Sequence, residues 1–125
     1  AMQAEHQGAY GVVVNAPMPN EVIAEIKSVV DIPVIATVVS DQADIQGRIE
    51  AGTDFFNVSG AAATADIVRH IREKYPHVPI LATGGPTEES ILATVRAGAN
   101  AITITPPTTG ELFSGIMKGY REKKL

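Results

Sequence analysis

The sequence predicts an α/β fold of repeated βα units with parallel strands, a partial TIM-type barrel of five units that fills residues 1–125 as one domain. Three observations predict it. Short apolar runs without polar alternation begin near residues 10, 33, 54, 79 and 101, as suits parallel strands buried on both faces. A stretch of helical periodicity follows each run, so one βα unit recurs with little room for insertions. The strands also alternate between two classes. Ile32-Pro33-Val34-Ile35-Ala36-Thr37 returns as Val78-Pro79-Ile80-Leu81-Ala82-Thr83, whereas Gly8-Ala9, Gly52-Thr53 and Gly98-Ala99 precede strands of the other kind. Alternating classes suit a (βα)8 barrel, whose odd and even strands feed different interior layers. The alternative is a five-stranded, flavodoxin-like open sheet with helices on both faces. Length favours it, because a whole barrel takes about 250 residues.

The first strand is expected over residues 9–14, ending in Asn15-Ala16-Pro17. Asn20 then caps a helix reaching Val30, with Val22, Ile23, Ile26, Val29 and Val30 on one apolar face. The second strand covers residues 33–39, and its helix starts near Asp41 and ends at Gly52, with Ile45 and Ile49 one turn apart. The third strand, 54–59, leads through Gly60 and three alanines to a helix capped by Thr64, which carries Ile67, Val68 and Ile71 and stops before Pro76. In the fourth unit, Pro79-Ile80-Leu81-Ala82-Thr83 is followed by Gly84-Gly85. Thr87 is the expected N-cap of the next helix, Glu88 and Glu89 complement its dipole, Ile91, Leu92 and Val95 form its buried stripe, and Gly98 ends it. The fifth strand, 101–105, precedes Pro106-Pro107 and a last helix from about Thr109 to Tyr120.

Composition narrows the function classes. With 45% hydrophobic residues and no apolar run near the length of about 18 that a membrane span needs, the chain reads as globular rather than membrane-embedded. The N-terminal residues lack a basic segment followed by an apolar one, and no cysteine is present, which together predict a cytoplasmic protein without disulfides, thiolate nucleophiles or Cys-ligated zinc. A net charge of −4 argues against broad binding to nucleic acid. His6, His70 and His77 are too scattered to suggest a metal site, and nothing points to a cofactor.

Val13-Val14-Asn15-Ala16-Pro17, Ile32-Pro33-Val34-Ile35, Ala51-Gly52-Thr53-Asp54-Phe55-Phe56-Asn57, Ala82-Thr83-Gly84-Gly85 and Ala97-Gly98-Ala99 resemble, in order and spacing, motifs of the 2-keto-3-deoxy-6-phosphogluconate aldolase family. The resemblance runs from about Gly11 to Ile104 and matches that family's fourth to eighth barrel strands. It implies a phosphate-binding barrel and, if the chain is an enzyme, a lyase or isomerase. Where the family has its Schiff-base lysine, this sequence has Asn57, whose amide cannot form an imine. Lys27, Lys74, Lys118, Lys123 and Lys124 all fall on expected helices or the tail, so no strand carries an amine. Class I aldol chemistry is therefore not expected.

Parallel α/β folds bind ligands at the carboxyl ends of their strands. The groups expected there are Asn15, Asp41, Asn57, Ser59, Thr83, Gly84, Gly85 and Thr105. A glycine pair before a helix N-terminus can cradle an anion through backbone N–H groups, although it can equally be a tight turn. Asn57 interrupts an apolar strand and reads either as a substrate contact or as a structural hydrogen bond. Asp41 reads as a helix cap or as an acid–base group. The expected partner is a small anionic metabolite, phosphorylated or carboxylated, bound by an aldolase-like domain; the alternative is a non-catalytic barrel segment or metabolite sensor. Five barrel units leave two free strand edges and an uncovered interior, which predicts a homo-oligomer.

Overall fold

In the computed structural model, which describes residues 1–104 and 109–123, five parallel strands form one sheet in the order in which they occur in the chain. They are β1 (Val12–Val14), β2 (Val34–Val38), β3 (Phe55–Val58), β4 (Ile80–Thr83) and β5 (Ala101–Thr103). Helices α2 (Asn20–Val29), α3 (Ile45–Glu50), α4 (Thr64–Lys74) and α5 (Glu88–Ala97) connect them. A short α1 (Met2–His6) precedes β1, a 3-10 turn (Ala61–Ala63) precedes α4, and α6 (Thr109–Lys123) follows β5.

Right-handed crossovers between successive strands lay every connecting helix on the same side of the sheet. Burial confirms the one-sided arrangement. Val14, Val34, Ala36, Val38, Phe56, Val58, Ile80 and Ala82 share a single apolar cluster with Ile23 of α2 and Ile67, Val68 and Ile71 of α4. The alternate strand residues, Val13, Ile35, Thr37, Phe55, Asn57, Leu81, Thr83 and Thr103, face the other way, and none of them is fully buried. This corrects the flavodoxin-like alternative. Such a sheet requires β1 between β2 and β3 and helices on both faces, whereas here Thr37 of β2 pairs directly with Asn57 of β3. The winding never reverses, so none of the connecting helices reaches the second face, and the architecture is that of a partial barrel. Among the described residues α6 adds none to the core, and its Phe113 and Ile116 are exposed.

The strand register is held at its amino ends by a device that occurs twice. Asp54 N–H donates to the Val34 carbonyl (2.9 Å), while Val34 N–H donates to Asp54 Oδ2 (2.8 Å). Asn100 N–H donates to the Ile80 carbonyl (2.8 Å), while Ile80 N–H donates to Asn100 Oδ1 (2.9 Å). Each acceptor also receives a cation from a helix: Lys27 Nζ at 2.7 Å for Asp54, Arg72 Nη2 at 2.8 Å for Asn100. Two residues earlier stand Gly52 and Gly98, with φ of +110° and +118°. Their left-handed backbone turns the chain from helix to strand.

Several local expectations shift. Asn20 is the first residue of α2 rather than its cap, Pro19 occupying the cap position; the Asn20 side chain instead accepts from Arg48 and donates to Asp44. Asp41 does not cap α3. Asp44 does, accepting from Gly47 N–H at 2.9 Å, so the helix starts later than expected. Thr64 is the first residue of α4, and its hydroxyl closes the preceding turn by donating to the Ala61 carbonyl and accepting from Gly60 N–H. In α5 the buried residues are Thr94 and Ala97; Leu92 and Val95 are exposed, and only Ile91 of the expected stripe is partly covered.

Candidate functional site

The carboxyl ends of the strands form one rim. Parallel pairing puts Asn57 beside Thr37 on one side and Leu81 on the other, and Thr83, two residues beyond Leu81 and on the same face, beside Thr103. Asn15 follows β1, Ser59 follows β3, and Gly84-Gly85 follows β4. Asp41 lies in the exposed turn after β2, where Gln42 Nε2 donates to its Oδ1 at 3.3 Å. Thr105 is outside the described residues.

The two glycines have different reasons to be glycine. Gly84 N–H continues the sheet by donating to the Thr103 carbonyl at 2.9 Å. A Cβ at Gly84 would stand 2.5 Å from Ile102 Cγ2 and 2.9 Å from Ile91 Cγ1, so this residue is fixed by packing. Gly85 has φ +76°, a conformation that L side chains rarely adopt, and among the described residues its N–H has no hydrogen-bond partner.

The turn carrying them is built by Ser90. Its hydroxyl donates toward the Gly84 carbonyl (2.9 Å) and the Thr87 carbonyl (2.7 Å) and accepts from Thr87 N–H (3.2 Å). Ser90 N–H in turn donates to Thr87 Oγ1 (3.1 Å), which completes a reciprocal capping box at the start of α5. Thr87 is thus the cap that the sequence predicts. Ser90 stands where Glu or Gln is usual in such a box, and its spacing of three from Thr87 is the sequence signal for it.

Asn57 is half-buried, and among the described residues its side chain makes no hydrogen bond. The structural bond that could have explained it is therefore absent from this part of the molecule. Its neighbour Thr37, hidden in the sequence as one more member of an apolar strand, has a buried Oγ1 without a partner among the described residues. The Thr83 and Ser59 hydroxyls and the Asn15 amide are likewise without partners among the described residues. The rim therefore gathers donors and acceptors that no other described residue uses. None of its residues is a lysine or arginine: Lys27, Lys74, Lys118 and Lys123 and all the arginines are on helices. No group of three or more His, Asp or Glu residues among those described could hold a metal ion, and no helix is long and apolar enough to cross a membrane.

Asp54 lies at the opposite, amino end of the sheet. Burial raises its pKa, but the Lys27 and Val34 hydrogen bonds and the Lys27 charge outweigh that and hold the carboxyl below its ordinary value.

No protein-family model matches the chain, and no curated protein matches it. Solved structures do. A (putative) lactate oxidase from Pediococcus acidilactici superposes with a TM-score of 0.71 at 14% identity, covering 82% of this chain and 42% of the oxidase. A mandelate oxidase mutant bearing a monooxide FMN adduct gives 0.69 at 18% identity, with 82% and 42% covered. A second structure of that mutant gives 0.69 at 16%. The chain spans less than half the length of these structures, and at such identities the likeness shows the fold alone. The three are oxidases, so they support the barrel segment and not the aldolase family in particular.

Proposed function

We propose that the domain binds a small phosphorylated or carboxylated metabolite on the rim formed by Asn57, Thr83 and Gly85, with Ser59, Asn15 and, outside the described residues, Thr105 as further contacts. The observation that carries this reading is the set of unpartnered groups at one end of a parallel sheet: the Gly85 N–H, the Thr83 hydroxyl and the Asn57 amide. Gly84 belongs to the loop through packing rather than through its N–H, which the sheet already uses. The resemblance to the aldolase family suggests a lyase or isomerase ancestry, but β1 to β5 contain no lysine, so an imine cannot form on them. Asp41 is available as an acid–base group only if its exposed loop folds over the rim. The mandelate oxidase's FMN lends this chain nothing beyond the shared barrel, and the reading rests on the chain's own groups.

A second reading, a non-catalytic barrel segment or metabolite sensor, is favoured by the same absence of an amine or a paired acid and base on the rim. Both readings predict that inorganic phosphate or acetate shifts the Gly85 amide resonance saturably. Shifts scattered over the surface, or none at Gly85, would remove the anion site. Borohydride with pyruvate should leave no adduct, and a stable adduct on the chain would overturn the exclusion of imine chemistry.

The uncovered sheet face carries Val13, 55% exposed, with Ile35, Phe55 and Leu81 only partly covered, and β1 and β5 each have one unpaired edge. Together they support self-association through a second copy. A monomer by light scattering at high concentration would count against it.

A further inference from the structure

We infer that helix α6 of a second copy lies against the uncovered sheet face, so that two chains exchange α6 and close as a symmetric dimer. The inference rests on the self-association proposed above and goes further by naming the element that covers the face. In α6, Phe113, Ile116, Met117 and Tyr120 follow the i, i+3, i+4, i+7 spacing of one apolar stripe. Such a stripe ordinarily faces a core. Here Phe113 and Ile116 are 63% and 62% exposed, and among the described residues α6 adds none to the core. The sheet carries a matching surface. Its register sets Val13, Ile35 and Phe55 side by side on the open face, where Val13 is exposed and Ile35, Phe55 and Leu81 are only partly covered.

One chain thus has one apolar helix stripe and one apolar sheet face to cover. Exchanging them between two copies uses each once per chain, which is what a closed two-fold interface requires. Four apolar side chains per helix, with the sheet they cover and both halves counted, bury on the order of 1,500 Å², inside the roughly 1,200–2,000 Å² of a stable interface. Other ways of joining two copies use these groups less well. Stacking the two open faces directly would take Thr37, Asn57 and Thr83 out of water with no assured partner. A helix over Val13, Ile35 and Phe55 spares them, because Thr37 and Asn57 lie one row nearer the carboxyl ends of the strands. Pairing through the free edges offers little, since β1 and β5 are three residues long and alternate residues already point their backbone groups inward, as Val12 N–H does to the Pro33 carbonyl. It would also leave the stripe and the face bare.

The chain has no cysteine, so cross-linking reads the contact directly. Val13→Cys and Ile116→Cys chains, each substituted at an exposed position, are mixed and oxidised. A disulfide between the two variants is expected, with neither variant linking to itself. Light scattering should show a dimer for the unsubstituted chain. Phe113→Ser together with Ile116→Ser should raise its dissociation constant at least about tenfold, as expected when buried apolar contacts are lost, and leave the far-ultraviolet circular dichroism unchanged. Links between two Val13→Cys chains would mean that the faces stack directly, and links between two Ile116→Cys chains that the helices pair with each other. Either result, a disulfide closed within one chain of the double variant, or a dimer that survives both serine substitutions, would overturn the inference while self-association stands. A monomer at high concentration would remove self-association and this inference together.

Discussion

Asp54 and Asn100 occupy equivalent places just before the third and the fifth strand, each exchanging a reciprocal pair of hydrogen bonds with the first residue of the preceding strand, Val34 or Ile80. The side chains differ in charge and perform the same backbone function. The cation beside each differs to match: a lysine meets the carboxylate, and an arginine meets the amide along with four backbone carbonyls. At the end of the sheet opposite the candidate rim, these two points set how the strands slide against one another.

Replacing Asp54 by Ala leaves the Val34 N–H and Lys27 without their acceptor and should cost about 1–3 kcal/mol, measured by urea unfolding. Asp54→Asn should cost less, because Asn100 shows that an amide accepts the backbone bond. The acid response follows from the lowered pKa of Asp54. Its contribution is present above the unfolded-state value of about 3.9 and is lost as pH falls through the lower folded value. Asp54→Asn should therefore flatten stability across that acidic window and leave the shape of the curve near neutrality unchanged.

Arg72 donates to the carbonyls of Gly98, Tyr75, Pro76 and Val78 as well as to Asn100. Lysine keeps the charge but lacks the planar fork. Arg72→Lys is expected to lose about 1.5–3 kcal/mol in chemical unfolding, because most of these acceptors lose their donor. A loss below half a kilocalorie would show that solvent can replace the fork.

Gly98→Ala forces a left-handed alanine whose Cβ would stand 2.9 Å from Arg72 Cγ. The expected cost is about 1–3 kcal/mol. Gly115→Ala, in the middle of α6 with nothing near its Cβ, is the control, and it should be neutral or stabilising by up to about 1 kcal/mol.

Gly84→Ala and Gly85→Ala separate packing from binding. The first should destabilise by about 1–3 kcal/mol through overlap with Ile102 and Ile91. In the second, the new Cβ would stand 2.6 Å from Ser90 Oγ, so it should disturb the cap and weaken anion binding, as a phosphate or acetate titration would read.

The repeat was legible in the sequence because its markers are chemically unusual: Pro33 and Pro79 open one class of strand, and Gly52 and Gly98 must adopt left-handed backbone before the other. The start of α3 was not, because Asp41 and Asp44 are both plausible caps, and only the position of Gly47 N–H decides between them. The buried face of α5 was hidden by hydrophobicity itself. Leu92 and Val95 outrank Thr94 and Ala97 on any apolar scale, yet the small residues face inward, and the Thr94 hydroxyl can be buried because it donates to the Ser90 carbonyl. At the rim the sequence named Asn57, Thr83 and Gly85. It could not show that Gly84 is fixed by Ile102, or that Thr37 lies beside Asn57, since both depend on strand register.

The central claim is that successive strands lie side by side in parallel and so bring Asn57, Thr83 and Gly85 onto one rim. Interstrand nuclear Overhauser effects test it most directly. The account predicts backbone contacts between Thr37 and Asn57, between Asn57 and Leu81, and between Thr83 and Thr103, all in the parallel pattern. Contacts of β1 with β3 in place of those between β2 and β3, or an antiparallel pattern at any of these pairs, would contradict it.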